Sequence, residues 1–258
     1  MKLWLSAVFV VMLCPGLTLG QSFIESFETG LPGPGGTLPN HAAPGASLIL
    51  SSGTWHAFNN SAPIGLTGVF AQNAGGPFAP APAAGTTYAA MNFNSGSGTA
   101  TIDTYLMSPT LTFTNGDVIS FITRTVNTPA FPDRLRLLLS TNGASTSPVD
   151  FTTVMLTINA GLSTAGYPNT WTAFNATITG LAGPTSGRFA FNYNVTNGGP
   201  SGANSDFIGI DLASYSTAVP EPTTWALMGL TLFGVTGGFY RYRANKNRVN
   251  QLPLSSVR

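Results

Sequence analysis

Few side chains in this sequence could do chemistry. The 258 residues include one cysteine, Cys14, and two histidines, His41 and His56. A nucleophilic triad needs a histidine beside a positioned serine, and no G-x-S-x-G elbow occurs. Two histidines without H-E-x-x-H or a thiol in the mature chain do not make a zinc site. Both are read as surface residues in or near Gly/Ala-rich sequence. Eight carboxylates between Gln21 and Thr217 could in principle supply the acid pair of a glycosidase. Asp117 follows Asn115-Gly116, however, and Asp133 adjoins Arg134, so these acids are expected to be turn residues or arginine partners. Trp55, Phe58, Tyr167 and Trp171 could form a sugar-stacking platform, although rings of this size are first of all core material. Asn59, Asn175 and Asn194 begin N-x-S/T sequons, which matter only in a glycosylating host. The chain is therefore read as a non-enzymatic structural or adhesive protein. A carbohydrate-binding module recognising exopolysaccharide is the alternative, with a glycoside hydrolase behind it.

The elements that must hold these residues are strands. Charged residues make up 7% of the chain, against about 25% in an average protein. The 30 glycines and 19 prolines punctuate it. Phe189, Phe191, Tyr193 and Val195 alternate with Arg188, Ala190, Asn192 and Asn194. Leu135, Leu137 and Leu139 alternate with Arg134, Arg136 and Ser140, and Ile208, Ile210 and Leu212 with Phe207, Gly209 and Asp211. A period of two predicts antiparallel sheets with one buried and one wet face. Further strands are expected at 22–27, 47–51, 54–58, 87–93, 99–107, 110–113, 117–126, 151–158 and 171–178. Residues 29–46 and 72–86 are expected to be long loops. Asn115-Gly116, Asn142-Gly143 and Asn197-Gly198-Gly199 supply turns. Turns about every ten residues imply an all-β, jelly-roll-like sandwich over residues 21–217. Four arginines against eight acids leave this body near −4, which excludes the clustered basic face of a nucleic-acid binder.

The two ends are of another kind. Lys2, the apolar run Leu3 to Leu13 and the small residues up to Gly20 have the order of a secretory signal peptide. Cleavage near Gly20/Gln21 by signal peptidase, after passage through the secretion machinery, would remove Cys14. A lipoprotein cut before Cys14 is disfavoured by Leu13, where a small residue is expected, and by Pro15. At the other end Pro220-Glu221-Pro222 precedes an apolar run from Thr223 to Tyr240. Arg241, Arg243, Lys246 and Arg248 follow. The run is about the shortest that spans a membrane as a helix. Trp225 and Tyr240 stand at its two interfaces, and the basic cluster stays cytoplasmic. Pro-Glu-Pro, a short span and a basic cluster resemble the PEP-CTERM sorting signal. In that family an exosortase recognises the segment and processes it near Pro220, Glu221 and Pro222, with Arg241 and Arg243 acting as the stop-transfer charges. Residues 218–248 are assigned to this segment and 249–258 to a tail. The expected product is exported, first as a membrane-anchored precursor and then at the cell surface or in the extracellular matrix.

The body carries a resemblance of its own. Ile24-Glu25-Ser26-Phe27-Glu28, Tyr88 to Phe93, Asp103 to Pro109, Ser120 to Thr125, Pro132-Asp133-Arg134-Leu135, Leu139 to Gly143 and Asn197 to Asp211 together resemble the choice-of-anchor J family of bacterial surface proteins. The resemblance implies a jelly-roll sandwich similar to cleaved-adhesin and carbohydrate-binding modules, and it names no ligand. Such modules often carry structural calcium held by acids near the chain ends, and calcium takes six to eight oxygens. Glu28 and Asp211 are the expected ligands, with Asp206 and Asn204 able to add oxygens.

Overall fold

Among the described residues fourteen strands form, the clearest of them where apolar and polar residues alternate. They are β1 (Phe23–Glu25), β2 (Ala46–Leu50), β3 (Gly53–Asn59), β4 (Ala62–Ile64), β5 (Phe70–Asn73), β6 (Thr87–Asn92) and β7 (Gly96–Met107), then β8 (Leu111–Phe113), β9 (Val118–Thr125), β10 (Leu135–Ser140), β11 (Thr153–Ile158), β12 (Thr172–Thr177), β13 (Thr185–Gly198) and β14 (Phe207–Ser216). The structure, a computed structural model, describes residues 21–33 and 46–218. The expected signal peptide with Cys14, His41, Pro220-Glu221-Pro222, the run Thr223 to Tyr240, and Arg241 and Arg243 lie outside the described residues.

All pairings are antiparallel, in two sheets. One sheet runs β12-β9-β14-β6-β5, with β1 also beside β14; the other runs β11-β10-β13-β7-β3-β2, with β4 on β7 and β8 on β13. The chain crosses between sheets at β1–β2, β4–β5, β6–β7, β8–β9, β9–β10, β11–β12, β12–β13 and β13–β14. This is the jelly-roll-like sandwich expected from the alternation. Between the sheets, Phe189, Phe191, Tyr193 and Val195 of β13 meet Ile208, Ile210, Ala213 and Tyr215 of β14. Trp55 lies at their centre, stacked on Phe191 at 6.5 Å and edge-on to Phe189 at 5.7 Å. A buried tryptophan with this many neighbours contributes about 3 kcal/mol or more.

Three expectations need correction. Strands β4 and β5 stand where none was expected; β5 is short and reaches Asn73, inside the span read as a loop. Leu212 does not continue the inward set of β14. A bulge between Asp211 and Ser214 shifts the register, Leu212 takes φ +47°, and Ala213 and Tyr215 face inward instead. The outer faces, finally, are not simply wet. Phe151 folds back over the eight-stranded sheet and buries Phe58, Tyr105, Met107, Leu138 and Ala190. On the six-stranded sheet, Phe78 from the 74–86 loop covers Tyr88 and Phe207. Gly209 is required beneath it, since a Cβ there would lie 2.8 Å from both Phe78 and Tyr88.

Buried carboxylates join the sheets at both ends. Asp133, 1% exposed, accepts from Thr125 Oγ1 of β9 at 2.6 Å, Tyr193 Oη of β13 at 2.6 Å and the Asp206 N–H ahead of β14 at 2.7 Å. Its neighbour Arg134 is not its partner: that guanidinium bonds Asn194 through both the carbonyl and Oδ1. At the opposite end Glu25 of β1 takes four bonds, from the Phe27 N–H and from Ser51 and Ser52 of the β2–β3 turn. Asp117, in the turn after β8, accepts from Thr114, Tyr215 and the Ala218 N–H.

Burial raises the Asp133 carboxyl from 3.8 to about 6, against the pull of its three donors. Its folded pKa lies above its unfolded one, so the folded state holds the extra proton between about pH 4 and 6. The contribution of this residue is therefore full below pH 4 and falls as pH rises through that window. The gap corresponds to about 3 kcal/mol. In urea unfolding, the stability of the native chain relative to Asp133→Asn is expected to fall by up to that amount between pH 4 and 6.5. Parallel pH profiles for the two proteins would refute this.

Candidate functional site

Strand β14 changes partner along one edge. Residues Phe207–Ile210 pair with β6, and Ala213–Tyr215 pair with β1. Asp211 and Leu212 fall in the gap between these partners, where the bulge also lies. Glu28 reaches the same gap three residues beyond β1. Its carboxylate accepts from the Thr86 N–H at 2.9 Å, Thr86 Oγ1 at 2.8 Å and the Thr87 N–H at 3.0 Å. Slight burial pushes its pKa up, but these bonds outweigh it and hold the carboxyl below its ordinary range. Gly85, at φ +119°, leaves the carboxylate its space: a Cβ there would lie 2.1 Å from Glu28 Oε1.

Asp211 is fully buried and electrostatically coupled to Glu28. Its Oδ1 accepts from the Leu212 N–H at 2.8 Å, while Oδ2 has no hydrogen-bond partner. Burial, with help from the Glu28 charge and against the Leu212 and Ala81 N–H groups, pushes its carboxyl up to about 7. An orphaned buried oxygen costs about 1–3 kcal/mol. The two residues singled out as metal ligands are thus brought together. Asn204 and Asp206 are not: Asp206 precedes Asp211 by five residues, about 16 Å along an extended chain, and the Asn204 amide donates to the Thr196 carbonyl. Among the described residues no group of three or more His, Cys, Asp or Glu side chains could hold a metal. Further oxygens would have to come from backbone, amides or water, which suits calcium and not zinc.

The aromatic candidates are used in packing. Trp55 and Tyr167 are interior, and Phe58 lies under Phe151. Trp171 packs edge-on to Phe78 and Tyr88 and donates to the Ala79 carbonyl. Asn59 is 1% exposed, so its sequon is out of reach of a modifying enzyme. On the outer face of the eight-stranded sheet, Asp103 accepts from Asn192, Asn194 and Asn60, and Arg136 bonds Asn192 Oδ1 at 2.8 Å. This polar ladder largely satisfies itself.

A depression that the residue types did not signal opens at one end of the sandwich. Three sheet-crossing connections meet there: 93–95, 126–134 and 199–206. Its volume is about 350 Å³, and Phe93, Phe131, Pro200, Gly199 and Asp206 are among its walls. That is the lower part of the range of small-molecule sites. Phe93 and Phe131, 36% and 43% exposed, are the only exposed phenylalanines among the described residues. The Asp206 carboxylate is half-buried, which raises its pKa, and it accepts from the Ala130 N–H. Its walls are fixed by bonds from the Phe93 N–H to the Asp206 carbonyl at 3.0 Å and from the Ser205 N–H to the Pro132 carbonyl at 2.9 Å. The signal available in the sequence was Phe131 between Pro129 and Pro132, a large ring in a turn segment with no strand to bury it.

No curated protein matches the chain. Among solved structures it is similar to the K1 cleaved adhesin domain of Lys-gingipain from Porphyromonas gingivalis W83, at 18% identity, covering 77% of this chain and 99% of that one, with a TM-score of 0.49. The K2 domain of Lys-gingipain gives 16% identity, 76% and 98% coverage and a TM-score of 0.48. A family 11 carbohydrate-binding module of a Clostridium thermocellum cellulosomal cellulase gives 12% identity, 78% and 97% coverage and a TM-score of 0.38. Residues 218–241 match the PEP-CTERM protein-sorting motif, so the C-terminal segment of this chain is a sorting signal of that type.

Proposed function

We propose that this is an exosortase substrate whose sorted product is a non-enzymatic β-sandwich displayed at the cell surface or held in its polysaccharide matrix. The match of residues 218–241 to the PEP-CTERM motif carries the reading. Prolines at 220 and 222 restrict the backbone on either side of Glu221, which would favour an extended peptide suited to an enzyme cleft, and a signal peptide at residues 1–20 would supply the route outward. A sandwich of this kind is what the resemblance to choice-of-anchor J proteins would imply. The junction with the signal is fastened: the Ala218 N–H is bound by Asp117 at 2.8 Å and the Thr217 N–H by Ser22 at 3.3 Å. Processing at Pro-Glu-Pro would then leave the folded domain intact. A second reading, recognition of exopolysaccharide, is favoured by the depression at Phe93, Phe131 and Asp206, where exposed rings stand beside a hydrogen-bonding acid.

Calcium is proposed at Glu28 and Asp211. The orphaned Asp211 Oδ2, on a carboxyl that feels the charge of Glu28, supports it. When bound, the ion would neutralise both acids and hold β14 at the point where its edge passes from β6 to β1.

Two outcomes are expected. Mass spectrometry of the surface fraction from a host with an exosortase should find the chain ending near Pro220, and a Glu221→Ala chain should keep its C-terminal segment. A surface product that still ends at Arg258 would overturn the processing claim. Calcium at a hundred times its dissociation constant should stabilise the protein by about 2.7 kcal/mol, raising Tm by roughly 5–10 °C for a domain of this size. Chelator should reverse the shift and Asp211→Asn should abolish it. An unchanged Tm in calcium and in chelator would remove the ion from the account.

A further inference from the structure

We infer that the depression formed by Phe93, Phe131 and Asp206 binds an amine-bearing sugar unit through its ammonium group. This rests on the carbohydrate reading of the same site and names the class of sugar. The first observation is the charge. Asp206 is half-buried and receives one bond, from the Ala130 N–H. The one ion pair among the described residues joins Arg136 and Asp103, both on the outer face of the eight-stranded sheet. Asp206 therefore has unused acceptor capacity and no cation beside it. Asp133, another acid, accepts from the Asp206 N–H, and the two charges act on each other. The Asp206 carboxylate in the wall, with the buried Asp133 behind it, makes the depression electronegative, and a ligand ammonium would be attracted to it more strongly than a hydroxyl.

The second observation is the pair of rings. Every other phenylalanine among the described residues is buried or half-buried, and the two exposed ones share this depression. Their faces suit the apolar C–H face of a pyranose, and the negative ring face adds attraction for an ammonium. The volume of about 350 Å³ accommodates a sugar ring, more than an ammonium alone would need.

The third observation is preorganisation. Phe93 starts a short 3₁₀ turn, and the Asn92 side chain accepts from the Asn94 N–H to fix it. Gly199 takes φ +87°, and the Gly202 backbone packs so tightly that a Cβ would lie 2.3 Å from the Gly198 carbonyl oxygen. Ser205 Oγ accepts from the Gly199 N–H at 2.9 Å. Little ordering is left for binding to impose, which favours affinity.

The test is calorimetric titration of the full-length chain in detergent with three tetrasaccharides: a β-1,4 glucosamine oligomer, its N-acetylated form and cellotetraose. The glucosamine oligomer should bind at least about tenfold more tightly than the other two, as expected for a hydrogen bond to a charged group. Asp206→Asn should remove that preference, and Phe131→Ala should weaken binding to the glucosamine oligomer about tenfold, with Tm unchanged in both variants. Equal affinity for all three sugars would refute the ammonium assignment and leave the carbohydrate reading standing. Binding by none of them, or binding unaffected by Asp206→Asn and Phe131→Ala, would refute both for this site.

Discussion

Two sheets held together only by apolar side chains could slide over one another at little cost, because dispersion and the hydrophobic effect have no direction. Asp133 removes that freedom. Its carboxylate is bonded at once to β9 of one sheet, to β13 of the other and to the backbone that starts β14. No cation accompanies it. The side chain is held by neutral donors, and burial outweighs them in setting its protonation. Glu25 and Asp117 use the same device at the other end, Glu25 binding the β2–β3 turn and Asp117 its own turn and Tyr215 of β14. A chain with so few charges spends several of its acids as internal fasteners.

The two candidate sites depend on these fasteners in different ways. The depression exists because Asp133 fixes the Asp206 backbone while Pro132 accepts from Ser205 beside it, so the 199–206 and 126–134 connections are locked face to face. The Glu28–Asp211 pair depends on a break in regularity. Asp211 pairs with Ile122 of β9 on one side, but on the other it falls where β14 has left β6 and not yet joined β1, so that edge offers its side chain a gap. One site is thus built by closing a loop cluster and the other by interrupting a sheet.

Local features were legible in the sequence and tertiary ones less so. The inward sets of β10 and β13 could be read because period-two alternation is fixed by the backbone itself. The sorting signal could be read because it is a short linear address. That β1 would lie beside β14 could be expected of the first and last strands of such a sandwich. The outward set of β13 was misread: Ala190 is buried in a cluster with Phe151, which arrives from another part of the chain, and Asn192 is buried in bonds with Asp103 and Arg136. Leu212 was misread because a bulge changes the phase of alternation without changing composition. Asp133 was given to Arg134 by adjacency, but successive residues of an extended chain point to opposite faces, and the true partners lie 8, 60 and 73 residues away. The depression at Phe93 and Phe131 escaped because it is assembled from three connections with no shared motif.

The direction of β14 has a mechanical consequence. The strand begins beside Asp206 in the depression and ends at Ser216, two residues before the sorting segment, so its ten residues span about 33 Å between the two. A pull exerted on a ligand in the depression and resisted at Ala218 would run along this one strand. Antiparallel hydrogen bonds lie across the strand direction, so β6, β1 and β9 would be loaded in shear, with many bonds resisting together instead of opening one at a time. The Asp117 bonds to Tyr215 and Ala218 close the lower end of that path, and the Asp133 bond to Asp206 closes the upper one. The sandwich is thereby strongest along the line on which a tethered surface domain would be strained.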